Sequence, residues 1–429
     1  MPTIPRLPFV PDMLRRIRVP DDLDAITTAG PEAPDGGTIG SDGVERIWKS
    51  ALSLYRSGVH PAVQVCVRRD GEVVLDRAIG HARGNGPDDP ADAEKVAAAP
   101  DTPLTVYSAS KAITAFVVHK QIERGLLALD DPVCKHIPGY ERHGKDEITV
   151  GQVLSHRAGV PNLPREALSL DNVGDSEYLV EALCDAQPFA APGKRLAYHA
   201  ISGGFILGEL VYRVTGKNIR EVLAEDFLDP LGFRWTNYGV PPEDCDQVAL
   251  NYMTGAPVLP PLSTLLTRAL GASAEHVVEI SNDPAFVTAI IPAANLVTNA
   301  NELSRFFEVM RCGGELDGVR VMERETVRTA LTQQSHLELD FSLGFPTRFS
   351  YGLMLGARVL SLYGRDTQHA FGHLGYTNIL GWADPERALS AAIVTSGKPI
   401  VYPEILSFLG LSQRITSESP KVDVSEMLV

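Results

Sequence analysis

Ser108 and Lys111, three apart in Ser108-Ala109-Ser110-Lys111, are a pair with direct chemical potential. A serine hydroxyl is a weak nucleophile and attacks a carbonyl only with a base beside it. On a helix, residues three apart share a face, so the lysine amine can lie next to the hydroxyl. Lysine becomes a base only if its pKa falls, and both partial burial and the positive end of a helix push it down. The same helix end favours negative charge developing near Ser108. The four-residue pattern also occurs by chance, and it equally describes an N-cap serine with an exposed lysine.

Two later segments supply what such a pair lacks. Tyr198, in Tyr198-His199-Ala200, follows Ala191-Pro192-Gly193-Lys194 and precedes a run containing Gly203-Gly204. A phenol near an ammonium group loses its proton more easily and can relay protons to and from the serine. A packed aromatic with a satisfied hydroxyl is the alternative. His373-Leu374-Gly375 lies within Phe371-Gly372-His373-Leu374-Gly375-Tyr376, ahead of a strand-like run. Glycine on an edge strand lets an acyl group approach closely. The main-chain N–H groups of Tyr376 and Ser108 would make the two donors of an oxyanion hole. His373 reads equally as a structural or surface histidine.

These residues need a scaffold that joins distant segments. Glu45 to Ser57 carries Ile47, Trp48, Leu52 and Tyr55 at helical spacing. Residues 62–68 and 73–78 are β-rich runs around Asp70-Gly71, which predicts a hairpin. Residues 84–101 read as a solvated loop. From Pro103 to about residue 345 the pattern is mostly helical, with helices expected over 110–121 (apolar on one face), 150–155 and 202–215, the last capped by Gly216. Residues 251–272 show no clear period and read either as a cover over a pocket or as a plain surface loop. Strand-like runs return at 351–356, 377–383 and 388–394. Strands at both ends with helices between them predict an α+β fold, in which N- and C-terminal strands share one antiparallel sheet beside a helical insertion.

Ser-x-x-Lys, Tyr-x-(Asn/Ser) and (Lys/His)-x-Gly, in this order, form the motif set of the penicillin-recognising serine enzymes. Thr149-Val150-Gly151-Gln152-Val153-Leu154-Ser155-His156-Arg157-Ala158-Gly159-Val160-Pro161 is similar to their LL(S/T)HxxGLP segment. Pro192-Gly193 precedes the tyrosine, and Pro292-Ala293-Ala294-Asn295-Leu296-Val297 precedes a helix. Over residues 45–400 the chain thus resembles the β-lactamase-related esterases, or family VIII carboxylesterases, which look like class C β-lactamases. The resemblance implies a β-lactamase/transpeptidase-like fold, a Ser108 nucleophile, a Lys111–Tyr198 proton-transfer pair, an acyl-enzyme, and His373 and Gly375 lining the strand edge as substrate-binding residues. It divides the chain into an N-terminal arm (1–44), a hydrolase domain (45–400) and a C-terminal helix or tail (401–429). The domain's α/β part would span 45–104 and 346–400, and its helical part 105–345.

Two departures bear on the substrate. Ala200 stands where β-lactamases usually carry Asn or Ser, and His373 replaces a lysine that helps hold a carboxylate. Histidine is largely neutral near pH 7. Both changes favour uncharged short- to medium-chain carboxylic esters. A β-lactamase or D-alanyl peptidase, an acyltransferase, and an inactive scaffold of the same fold are the alternatives. No Gly-x-Ser-x-Gly elbow supports an α/β-hydrolase.

The bulk composition narrows the remaining classes. Of 429 residues, 39 are Lys or Arg and 54 are Asp or Glu, a net charge of −15, which repels nucleic-acid phosphates. The five scattered cysteines show no zinc spacing and read as small buried thiols of a reducing compartment. No cofactor and no metal are called for. The proline-rich start lacks a secretory h-region and no apolar run reaches the length of a membrane span, so a cytoplasmic protein is expected. The expected partner is a small-molecule ester, with homo-oligomerisation left open.

Overall fold

The computed structural model describes residues 12–164, 167, 169–402 and 405–422. Its centre is an antiparallel sheet built from both ends of the chain. β1 (Thr27–Ala29), β2 (Ala62–Arg69) and β3 (Glu72–Arg83) come from the N-terminal side. β4 (Met354–Leu355), β5 (Phe371–Gly375), β6 (Ile379–Asp384) and β7 (Leu389–Thr395) come from the C-terminal side. The order is β1-β3-β2-β7-β6-β5-β4, and the two-residue strand Val96–Ala97 pairs with β3. β2 and β7 join the two ends of the chain, with Val65 opposite Ile393 and Cys66 opposite Ala392. Asp70 adopts φ +53° and Gly71 φ +86°, as a tight two-residue turn requires.

Both faces of the sheet are covered, so β2 is buried along its whole length. Period-two alternation sends Val63, Val65 and Val67 to one face, where they meet Ile47, Trp48 and Leu54 of α1 (Ser41–Arg56) and Phe408 and Leu411 of the helix Ile405–Glu418. Cys66 faces the other way, into the larger core shared with the helical region. Phe306 and Phe307 of the helix Ala300–Arg311 lie in that core. Phe307 is fully buried, and truncating such a side chain to alanine costs about 3–5 kcal/mol.

α2 (Ser110–Glu123) runs through the helical region. Its spacing predicted one apolar face, but eleven of its fourteen residues are buried. It is enclosed on all sides, and its polar groups therefore need internal partners. α3 (Val150–Leu154) carries a capping box between Thr149 and Gln152, and α4 (Ser202–Thr215) ends at Gly216 in the left-handed region. Residues 251–272 include a helix, Leu262–Leu270. Within 351–356 the pairing is limited to Met354–Leu355. All five cysteines are free, but only Cys66 and Cys184 are buried, against the expectation of five buried thiols. Among the described residues no helix is long and apolar enough to cross a membrane.

Candidate active site

Ser108 sits in the one-turn helix Tyr107–Ala109 that leads directly into α2. Tyr107 holds φ +47°, a conformation that costs a non-glycine residue about 1–3 kcal/mol. Its surroundings fix it there. The ring stacks on Tyr376 at 5.2 Å, the hydroxyl donates to Ser281 Oγ at 2.7 Å, and the buried Lys398 Nζ lies 5.2 Å from the ring centre. The strained turn leaves Ser108 only half-buried at the N-terminal end of a fourteen-residue helix. Anionic oxygen beside it is favoured by the helix dipole.

One turn further on, Lys111 Nζ lies 3.1 Å from Ser108 Oγ, and it donates to the carbonyls of Ala200 at 2.7 Å and Ala293 at 3.0 Å. Only 7% of the lysine is exposed, and burial pushes its ammonium down to about 7. Two N–H bonds then remain on the carbonyls, and the lone pair of the neutral amine is left for Ser108. Ala293 belongs to the segment 292–297, which is strapped onto α2. Thr114 donates to the Pro292 carbonyl, and Ser110 Oγ accepts from Leu296 N–H at 3.0 Å. A Cβ at Gly204 would stand 2.6 Å from Ala293, so a larger residue on α4 would displace this strap.

Tyr198 closes the group. Its hydroxyl hydrogen-bonds the Ser108 side chain, and its ring lies 4.9 Å from Lys111 Nζ. Burial raises the phenol well above its ordinary pKa, opposed by the bond to Ser108. This reverses the expectation that Tyr198 loses its proton more easily: burial of the phenol outweighs what the neighbouring lysine offers a phenolate. The main chain of Tyr198 is anchored by its N–H to Asp340 Oδ1 at 3.1 Å.

His373 on β5 is 1% exposed, with its ring 6.3 Å from Tyr198. Its Nδ1 donates to the Leu374 carbonyl at 2.7 Å. Desolvation, reinforced by Lys111, lowers its pKa to about 3, so it is neutral. Gly375 ends β5 against the turn that carries Ser108. A Cβ there would lie 2.2 Å from the Val106 carbonyl oxygen, an approach only glycine permits. Tyr376 follows at φ +35°, its hydroxyl donating to the Ala274 carbonyl at 3.2 Å. All six sequence-selected residues therefore gather around one turn, with His373 set behind Tyr198.

An apolar cleft of ≈ 930 Å³, its open mouth included, begins at Ser108. Tyr107, Ala200, Phe205, Ile280, Phe286 and Tyr376 contribute to its wall. None of the described lining residues is Lys, Arg, Asp or Glu. Residues 270–294 contribute, but so do Leu163, Leu170, Val173 and Leu179, which gave no signal in the sequence. Asp340 also escaped notice, and the carbonyls of Ala200 and Ala293 have no side-chain signature. Among the described residues no group of three or more His, Cys, Asp or Glu side chains is placed to hold a metal ion.

The Beta-lactamase family model matches residues 44–405. Esterase/beta-lactamase LipL of Mycobacterium tuberculosis is 30% identical over 330 residues, covering 72% of this chain and 73% of that protein. A family VIII carboxylesterase structure superposes with a TM-score of 0.74 and 25% identity, covering 90% of this chain and 99% of the other. EstA from Arthrobacter nitroguajacolicus Rue61a does so with 0.73 and 25%, covering 91% and 99%. Family match, fold and site geometry coincide: the chain belongs to the β-lactamase family and is a serine hydrolase of that fold.

Proposed function

We propose that the protein is a carboxylesterase acting through an acyl-Ser108 intermediate. The observation that carries this reading is the placement of Lys111 Nζ 3.1 Å from Ser108 Oγ, with two carbonyls holding its other donors. Neutral Lys111 takes the Ser108 proton, with Tyr198 as the relay, while Oγ bonds to the ester carbonyl carbon. The oxyanion is held by the main-chain N–H groups of Ser108 and Tyr376 and by the dipole of α2. Collapse breaks the bond to the alkoxide, which leaves as the alcohol with the proton returned through Tyr198 and Lys111. Water then attacks the acyl carbon, gives its proton to the same pair, and frees the acid and Ser108.

The substrate class follows from the wall of the cleft. Its mostly apolar lining suits an uncharged short- to medium-chain acyl group, and no Lys or Arg among the described lining residues is there to pair with the carboxylate of a β-lactam or D-alanyl peptide. Neutral His373 supplies no such charge either. A relative described as an esterase/beta-lactamase and a solved family VIII carboxylesterase support ester hydrolysis. A Ser108→Ala variant should lose turnover of p-nitrophenyl butyrate, and wild-type rates in that variant would refute the reading. Nitrocefin turnover equal to ester turnover would favour a β-lactamase instead.

A further inference from the structure

Tyr198 lies on no helix or strand, yet a relay group has to hold its hydroxyl on Ser108 to within a fraction of an ångström. One residue fastens the chain on both sides of it. His156 lies just beyond α3, only 5% exposed, with φ +60°. Its carbonyl accepts from Ala197 N–H at 3.0 Å, and its ring Nδ1 accepts from His199 N–H at 3.3 Å. The imidazole also packs on the phenol itself, with ring centres 4.8 Å apart, and is backed by Phe349 at 4.8 Å and His199 at 5.7 Å. With Tyr198 N–H on Asp340, three consecutive N–H groups are fixed, two of them by His156.

We propose that His156 is the positioning residue of Tyr198: a neutral imidazole, protonated on Nε2, whose Nδ1 holds the His199 N–H and through it the phenol against Ser108. The inference rests on Tyr198 relaying protons as described above. An acceptor at Nδ1 requires the proton to sit on Nε2, and a left-handed backbone restricts what can replace the histidine. Asparagine satisfies both conditions, since it tolerates positive φ and its Oδ1 stands near the place of Nδ1. Phenylalanine keeps the ring contact but has no acceptor. The carbonyl that accepts from Ala197 N–H is present in either variant, and phenylalanine differs from asparagine both in lacking the acceptor and in tolerating positive φ poorly.

The test joins kinetics to spectroscopy. With p-nitrophenyl butyrate, His156→Asn should keep kcat within about threefold of wild type, while His156→Phe should lose about 10²-fold with KM little changed. Fluorophosphonate labelling of Ser108 should slow in the same order. Equal rates in both variants and an active wild type would overturn the inference. A wild type that neither labels nor turns over esters would instead refute the hydrolase reading. If His156→Phe fails to fold, ¹⁵N-histidine NMR of the wild type decides: an unprotonated Nδ1 on His156 from pH 5 to 8 supports the role, and a protonated one overturns it.

Discussion

Lowering the pH from 8 to 6 should reduce kcat/KM about tenfold, because Lys111 acts as a base only without its proton. Burial brings its pKa from 10.5 to about 7. That shift corresponds to roughly 5 kcal/mol of lost preference for the charged form. With a midpoint near 7, roughly nine-tenths of the amine is neutral at pH 8 and one-tenth at pH 6. The sign is fixed by the chemistry: acid restores the ammonium, its lone pair is gone, and activity falls. The histidines and the phenol beside Lys111 should not titrate alongside it. Desolvation holds His373, His199 and His156 well below 6.5, and it holds Tyr198 above 10, so the alkaline side should stay level to pH 9. The assay is initial-rate hydrolysis of p-nitrophenyl butyrate in buffers of constant ionic strength, with folding followed by circular dichroism. A slope of one on the acid limb, centred within a unit of 7, supports the reasoning. A profile flat from pH 5 to 8, or a limb centred near 4, would refute Lys111 as the base. Lys111→Arg, charged at every accessible pH, should be inactive throughout.

Tyr198→Phe keeps the ring against His156 and Phe349 but removes the relay, so kcat should fall by about 10²–10⁴ with little change in KM. Gly375→Ala places a methyl 2.2 Å from the Val106 carbonyl, so it should cost about 1–3 kcal/mol in a denaturant titration and most of the activity. Val277→Trp should block part of the cleft. Excluding three methylenes would cost about 2.4 kcal/mol, so octanoate turnover relative to acetate should fall roughly fiftyfold in a p-nitrophenyl ester series.

What the sequence made legible follows from the range of each signal. The runs 62–68 and 388–394 were readable as strands because β-rich stretches bounded by turn residues are written in neighbouring positions. Ser108 and Lys111 were readable because a helix fixes the geometry of residues three apart. Tyr198 and His373 were found through ordered motifs, and the division of labour proposed for Lys111 and Tyr198 was not. It depends on how deeply each group is buried, which no local pattern records. Lys111 is held by main-chain carbonyls at 200 and 293, and a carbonyl looks the same on every residue. Asp340 serves Tyr198 across 142 positions. His156 was visible only as a letter in a motif, and its reach to Tyr198 is a product of the fold. The burial of α2 on all sides is likewise tertiary: its apolar face was readable, and the segment that covers its polar side was not.

Trapping the acyl-enzyme tests the role of Ser108 most directly. The protein would be mixed with p-nitrophenyl butyrate, quenched in acid within the first turnovers, digested and analysed by mass spectrometry. One butyryl group is expected on the peptide containing Ser108, absent in Ser108→Ala. Wild-type turnover with acylation at another residue, or with no effect of the Ser108→Ala substitution, would contradict it.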